Sequence, residues 1–450
     1  DARVNIALAL TAIQQGATVT NYTEVIELMK DPESGKITGA KVKDHCSGDV
    51  FDVAASGIIN ATGPFCDSIR KLDDPSLKTL VCPSAGAHLI FPNYYSPRQM
   101  GLVDPATSDG RVIFFLPWEG NTIAGTTDSP SDVECNPKAT SEDIQFILKE
   151  VSNYLDPIIK VSRNDVLAAW SGIRPLIRDP DSLNTEDLVR NHIVIVSKSG
   201  LVTIAGGKWT TYRKMAEDTI DEAIRIFHLK PKYQESRTKT IPLIGAHGFS
   251  HNICLKLIQQ YGLETEVAEH LMKSYGDRAF QVVSLANCTN KRWPVHGIKL
   301  VPWYPYLEAE VAYAIHNEYA HTAVDVLARR TRLAFLSCQA ALDALPRVIQ
   351  IMSNELGWNE QRCNDERDKA MTFLQSMGLQ EIAVARAEFN DEELRRYHEL
   401  FKGVDSTSCG RISEDQLLDT LQNLYPALQR NEWERILKDI DLFKTQTFTF

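Results

Sequence analysis

The sequence predicts an α/β fold of the α+β kind, followed by an all-helical domain and a small helical tail. Three observations predict it. Apolar β-type runs dominate as far as residue 205, and helical periodicity covers nearly all of residues 252–378. A composition break after Gly378 then leads into an acidic helical segment over residues 385–450. Taken in order, residues 1–16 read as a helix stopped by Gly16. Strands follow at residues 18–25, 39–43, 50–53, 56–61, 87–91, 112–117, 121–125, 192–197 and 201–205, with one helix over 141–155 among them. A second helix begins at residue 209 and runs to 227. The charged, proline-marked segment over 229–245 reads as a linker, which gives domains at 1–228, 229–378 and 385–450. Amphipathic stretches over 308–316 and 322–341 carry the helical domain.

Bulk properties narrow the function. At 450 residues the chain exceeds one core and calls for two or three domains. A hydrophobic content of 43% beside 24% charged residues is that of an ordinary globular protein. The net charge of −11 argues against nucleic acid as a partner, because a phosphate backbone needs a basic face. No apolar run approaches the roughly eighteen residues of a spanning helix. The nine cysteines are scattered without a CxxC pair, which favours reduced thiols. His247 and His251 are four apart, but Gly-Phe-Ser between them is poor helix and no third metal ligand is near. The chain opens at Asp1 within a helical pattern, so a longer polypeptide is expected, of which these residues are a part.

The most informative stretch is Leu201-Val-Thr-Ile-Ala-Gly-Gly-Lys-Trp-Thr-Thr-Tyr-Arg-Lys214. An apolar run ends in Gly206 and Gly207, which let the backbone turn and approach a ligand closely. The helix start that follows offers free N–H groups and a dipole that favour negative charge, and Lys208 adds a full positive charge. Upstream, Trp170-Ser-Gly-Ile-Arg-Pro-Leu176 places Arg174 between a helix-like segment and a proline-fixed turn. Arg174 and Arg190 can grip phosphate or carboxylate with two parallel bonds, or serve as surface ion pairs. The run over residues 56–61 delivers Ala61, Thr62 and Gly63 to a turn stiffened by Pro64, as a strand end meeting a nucleotide would, or as an ordinary strand turn. His88 follows Ser84-Ala-Gly-Ala, and an unperturbed imidazole titrates near neutrality, so the residue suits proton abstraction from an alcohol as well as a plain hydrogen-bonded role. Pro117-Trp118 and Gly125-Thr-Thr-Asp128 add an aromatic wall and a polar turn.

Taken together, Asp1-Ala-Arg-Val-Asn5, Asn60-Ala-Thr-Gly-Pro-Phe65, Gly86-Ala-His88, Gly125-Thr-Thr-Asp128, Ser171-Gly-Ile-Arg-Pro-Leu176 and Gly206-Gly-Lys-Trp-Thr-Thr-Tyr-Arg-Lys214 closely resemble the FAD-dependent glycerol-3-phosphate dehydrogenases. Tyr313, Glu318, Ala320, Thr322 and the run from Asp325 to Phe335 resemble that family's C-terminal helical domain. The resemblance implies a flavoprotein fold of the glutathione-reductase-like FAD superfamily, covering about residues 1–375. It implies oxidation of sn-glycerol 3-phosphate to dihydroxyacetone phosphate, with electrons passed to ubiquinone. By motif match, His88 is the base and Arg174 holds the alkoxide or phosphate. Arg190 and Lys208 would complete the anion pocket. Ala61, Thr62, Gly63, Gly206, Gly207, Lys208, Thr210 and Thr211 would contact FAD. The acidic tail resembles the EF-hand region of the mitochondrial branch. That branch implies peripheral attachment to the inner mitochondrial membrane on the intermembrane-space side. A homo-oligomer is left open.

Two departures set expectations of their own. The family's N-terminal GxGxxG unit, which holds the ADP half of FAD, does not occur in this sequence, so the dinucleotide-binding part is incomplete and weak FAD binding is expected. In the tail, the loop from Asp405 has Gly410 and Ile412 where an EF-hand needs them. Its ligand positions, however, hold Asp405, Thr407, Cys409 and, at the twelfth, Gln416 in place of a bidentate Glu. The loop from Asp441 has Phe443 at a ligand position. Ile412 and Phe448 still stand where two such loops pair, so the fold is expected and calcium binding is not. The rival functions are another FAD-dependent amino-acid or amine oxidoreductase, whose carboxylate would also suit Arg174 and Lys208, and an inactive calcium-responsive binding protein.

Overall fold

The computed structural model describes residues 2–97, 99–105, 107, 112–155, 161–178, 188–189, 191–379, 391–405, 412–426, 429–440 and 447–448. The chain divides into two compact units, residues 1–380 and 381–450.

The first unit opens with helix α1 (Ala2–Gln14). An antiparallel meander follows, of β1 (Thr23–Lys30), β2 (Ile37–Asp44) and β3 (Val50–Ala54). Residues 18–22 stay outside β1, contrary to the sequence expectation. Tyr22 takes a positive φ of 56°, which breaks an extended run before it can pair. Short β4 (Ile59–Asn60) leads through α2 (Cys66–Asp73) to β5 (Val81–Pro92), the longest strand among the described residues. Next come β6 (Leu102–Asp104), β7 (Ile113–Trp118), β8 (Asn121–Gly125), β9 (Ser129–Pro130) and α3 (Ser141–Tyr154). The series ends with β10 (Ala168–Arg178), β11 (Leu188–Val189), β12 (His192–Val196), β13 (Val202–Gly206) and α4 (Tyr212–Phe227).

These strands make a larger sheet in the order β11-β10-β5-β8-β7-β6, with β9 on β5, and a smaller one in the order β12-β13-β4. The β7–β8 hairpin closes on Glu119-Gly120, both at positive φ (50° and 79°), the two-residue loop that matches strand twist. Alternation along β5 separates two tasks. Ala87, Leu89 and Phe91 form one core with Ile144, Ile147 and Val151 of α3. Ser84, Gly86 and His88 stand on the opposite face.

Arg174 lies in the middle of β10, not between a helix and a turn as the sequence suggested. The signal that misled is Pro175, usually a strand breaker. It sits opposite Pro83, at a point where β11 has not yet joined β10, so its missing N–H disturbs little.

The helical part contains α5 (Asn252–Tyr261), α6 (Thr265–Tyr275), α7 (Ala279–Ser284), α8 (Glu308–Glu318), α9 (Leu333–Leu336), α10 (Cys338–Leu356) and α11 (Glu360–Ser376). The expected helix over 322–341 is broken into a π-helical turn, Asp325–Arg330, then α9 and α10. Thr331 Oγ1 donates to Val326 O at 2.7 Å, and Ser337 caps α10 by accepting from Ala340 N at 3.2 Å; these bonds hold the breaks. Residues 285–307 form turns and two isolated bridges rather than helix. On α10, Ala341, Ala344, Leu345, Val348 and Met352 line one buried stripe at helical spacing. Fully burying each larger aliphatic side chain there contributes about 1.5–3 kcal/mol.

The helical part is bonded to the sheet. Ala169 N donates to Met377 O at 2.8 Å and Cys338 N to Leu167 O at 3.0 Å. Arg3 of α1 pairs with Glu318, donates to Arg330 O at 2.8 Å and lies 4.5 Å over the Tyr275 ring.

The second unit holds α12 (Asp391–Val404), β14 (Ile412–Ser413), α13 (Glu414–Leu424), α14 (Arg430–Ile440) and β15 (Thr447–Phe448). Ile412 lies opposite Phe448 in an antiparallel pair. Thr407 and Cys409 fall outside the described residues.

Candidate functional site

Register builds the first part of the site. On β5 and β10, His88 is opposite Trp170, Gly86 opposite Gly172 and Ser84 opposite Arg174, so all six share one face of the sheet. On the other side His88 is opposite Gly125 of β8. The His88 ring stacks on Trp170, with centroids 4.5 Å apart and planes at 19°, and Phe335 of α9 backs Trp170 edge-on at 5.4 Å. Two glycines make the room. A Cβ on Gly125 would stand 2.7 Å from the His88 ring, and one on Gly86 would run into the Arg174 guanidinium.

Arg174 is held as a fork. Nη1 donates to Asp128 Oδ1 at 3.2 Å, while Nη2 donates to Thr126 Oγ1 at 3.0 Å and to Thr127 O at 3.2 Å. Asp128 also accepts from Ser84 Oγ. Burial, and secondarily the Arg174 charge, push the His88 imidazole down to about 4, so it is neutral at ordinary pH. Among the described residues, His88 Nδ1 and Trp170 Nε1 are buried without a hydrogen-bond partner. Buried polar atoms are nearly always satisfied, so two orphans side by side mark a place where a ligand or water belongs.

The second part lies where two parallel strands end. β4 and β13 pair in parallel, Ile59 with Val202 and Asn60 with Thr203, so their carboxyl ends reach the same edge. Ligands of such sheets bind there. After β4, Ala61 leads into Thr62, whose hydroxyl donates to Asn60 Oδ1 at 2.7 Å, and Gly63 takes φ 58° with open space where a Cβ would sit. After β13, Gly206 and Gly207 take φ 75° and 76°, a conformation side chains rarely adopt. Residues 209–211 form a 3-10 turn before α4 rather than its first turn. The cause is Lys208 O, which accepts from both Thr211 N and Thr211 Oγ1 at 3.0 Å.

Residues 1–213 match the family model described as FAD dependent oxidoreductase, and residues 236–363 match the model described as the C-terminal domain of alpha-glycerophosphate oxidase. The chain is 50% identical over 454 residues to the mitochondrial glycerol-3-phosphate dehydrogenase of Mus musculus, covering 99% of this chain and 62% of that protein. It is 48% identical to the probable mitochondrial glycerol-3-phosphate dehydrogenase of Caenorhabditis elegans, with the same two coverages. The chain is a homologue of the mitochondrial glycerol-3-phosphate dehydrogenases. Among solved structures it resembles the glycerol-3-phosphate dehydrogenase from Bacillus halodurans complexed with FAD, at a TM-score of 0.71 and 27% identity, over 84% of this chain and 73% of that one. The chain spans about 62% of the length of the curated relatives named above.

Within this family's frame, His88 and Arg174 come together on one sheet face, and the Ala61–Gly63 and Gly206–Gly207 turns come together at one sheet edge. Lys208 is exposed, and among the described residues no contact joins it to Arg174. The Gly206 turn does abut β10, but through Ile177, whose side chain leaves the strand on the face opposite Arg174. Arg190 falls outside the described residues. Sequence reasoning missed Trp170 as the ring under His88 and Asp128 as the partner of Arg174. The Gly125–Asp128 turn was visible in the sequence, but nothing in it tells which arginine it meets.

Proposed function

We propose that this chain provides the substrate face and part of the flavin edge of an FAD-dependent glycerol-3-phosphate dehydrogenase. It would oxidise sn-glycerol 3-phosphate to dihydroxyacetone phosphate and pass the electrons to ubiquinone. The observation that carries most weight is a neutral histidine with an unpartnered nitrogen beside a forked arginine. The His88 imidazole takes the proton of the substrate hydroxyl at a ring nitrogen, and Trp170 fixes the plane of that ring. Arg174 holds the developing alkoxide or the phosphate, kept flat by Asp128, Thr126 and Thr127.

The residues at the sheet edge fit FAD. Gly63 has open space where a Cβ would sit, Gly206 and Gly207 turn the chain at positive φ, and the α4 start offers N–H groups to a group that gains negative charge. When bound, FAD supplies the hydride acceptor. Ala61, Thr62, Thr210 and Thr211 line the same turns, and Lys208 and Arg190 are assigned to the anion pocket by motif alone. Glycerol 3-phosphate turnover with a quinone or dye acceptor tests the function; oxidation of an amino acid or amine in its place would favour the rival oxidoreductase.

Cofactor retention gives a separate expected result. No Gly-x-Gly-x-x-Gly turn occurs in the 450 residues, and β4 is an edge strand of its sheet. The 450-residue chain expressed alone is therefore expected to retain little FAD. Flavin absorbance of the purified chain measures this, and stoichiometric yellow protein would refute it.

Residues 385–450 are proposed to be a degenerate EF-hand-like pair, with Ile412 against Phe448 as the joining strands. Gln416 Oε1 accepts from Ser413 N at 2.8 Å and Nε2 donates to Val404 O at 3.3 Å, so this twelfth-position side chain is committed to capping α13. No micromolar calcium affinity is expected, because the bidentate glutamate that such sites need is missing. Isothermal titration revealing a tight site in the tail would overturn that. The relatives are mitochondrial, and the resemblance of the tail to the mitochondrial branch supports a peripheral place on the inner membrane, facing the intermembrane space. No described helix is long and apolar enough to cross a membrane.

A further inference from the structure

The helical part carries a second arrangement of reactive groups, away from β5 and β10. Residues 287–297 fold back on themselves, with Cys288 opposite His296 in an isolated antiparallel bridge. Thr289 N donates to Val295 O and Gly297 N to Asn287 O, at 2.9 and 3.1 Å, so the two ends of the turn are held in register. Val295 N is anchored on Gly262 O at 2.9 Å, just past α5. Cys288 Sγ lies 3.4 Å from His296 Nε2, and His296 Nδ1 lies 2.8 Å from Tyr261 O.

The direction of these two bonds follows from chemistry. A carbonyl only accepts, so His296 Nδ1 carries the hydrogen and donates to Tyr261 O. Nε2 of the neutral ring then has a lone pair, and the Cys288 thiol must donate to it. Thiol, base and a third group that orients the base stand in the order an activated nucleophile requires. Tyr261 is the last residue of α5, and a helix C-terminus has carbonyls without intrahelical partners and favours positive charge. The ring is thus held with Nε2 aimed at the thiol. Cys288 is exposed, and Lys291 and Arg292 follow within the same turn. Accessible thiols that are hydrogen-bonded to a base are the ones that react with oxidants.

We propose that Cys288 is a modification site for hydroperoxides, with His296 as its base. The Cys288 proton passes to His296 Nε2, and the sulfur attacks one peroxide oxygen. The S–O bond forms as the O–O bond breaks, and the departing oxygen takes the proton from His296 and leaves as water or an alcohol. The sulfur is oxidised by two electrons to a sulfenic acid, and the peroxide is reduced by the same two.

The protein supplies its own controls, because Cys46 and Cys135 are also exposed and neither has a histidine on its sulfur among the described contacts. Burial, and then the Asp44 charge, in fact push the Cys46 thiol up. The intact chain is treated with hydrogen peroxide, trapped with dimedone and digested, and each cysteine peptide is followed by mass spectrometry. Cys288 is expected to label about ten-fold faster than Cys135. In His296→Gln, which offers no comparable base, labelling of Cys288 is expected to fall to the Cys135 rate while Cys135 itself is unchanged. Equal rates for Cys288 and Cys135 in the unaltered protein would overturn the proposal, whatever the variant's folding. So would a folded His296→Gln protein whose Cys288 reacts as before.

Discussion

With the proposed glycerol 3-phosphate oxidation as the reaction, replacing Arg174 by lysine in a catalytically active form of the protein is expected to lower kcat/KM about a hundredfold. The guanidinium is a planar fork whose two terminal nitrogens are already fixed, Nη1 on Asp128 and Nη2 on Thr126 and Thr127. That fixation leaves the remaining N–H directions aimed before substrate arrives. An ammonium cannot hold Asp128, Thr126 and an anion in the same geometry, and losing one or two charge-assisted bonds costs about 2–4 kcal/mol. Asp128→Asn should show a smaller loss of the same kind, because it leaves the fork but removes the charge that orients it. Gly86→Ala should resemble the lysine variant, since the added Cβ occupies the place of the guanidinium. Steady-state kinetics with a dye acceptor decide the matter, and unchanged kcat/KM in Arg174→Lys would remove Arg174 from the site.

The β-rich half of this fold was legible wherever one face of a strand is apolar. Asn121–Gly125 was expected and found with the same ends, and Val202–Gly206 within one residue. Failures occurred where tertiary pairing overrides a local signal. Pro175 reads as a turn, yet ten residues of β5 pair with β10 across it. The amphipathic run over 322–341 has a helical period throughout, but hydroxyl bonds from Thr331 and Ser337 divide it. For the candidate site, residue type and neighbouring glycines singled out His88, Arg174 and the two glycine turns, which the fold gathers on one sheet face and one sheet edge. Pairs such as Trp170 with His88, or Asp128 with Arg174, depend on register between strands some 46–82 residues apart, which no local pattern encodes.

His88→Asn is expected to reduce kcat by about a hundredfold or more, the usual worth of a positioned base. Its pH dependence distinguishes this role from a structural one. An unperturbed imidazole titrates at 6.5, but burial, followed by Arg174, lowers His88 to about 4. In the uncomplexed protein the ring therefore stays neutral and ready to accept a proton through most of the acid range. The His88-dependent acid limb of kcat/KM is expected near pH 4 and not near 6.5. With a phosphate dianion bound beside the ring, the protonated form is favoured, so the corresponding limb in kcat should move to higher pH. The same depression links to stability with a definite sign. Between pH 6.5 and about 4 the unfolded chain takes up a proton that the folded one refuses. Stability is therefore undiminished above pH 6.5 and falls as the pH drops through that window, by at most about 3 kcal/mol. His88→Asn removes that part of the acid limb, so urea unfolding should show a flatter decline between pH 6.5 and 4 in the variant. A kcat/KM limb near 6.5 that His88→Asn abolishes would mean that the ring is solvated and that burial does not set its charge. A stability profile unaltered by the substitution would point to the same conclusion.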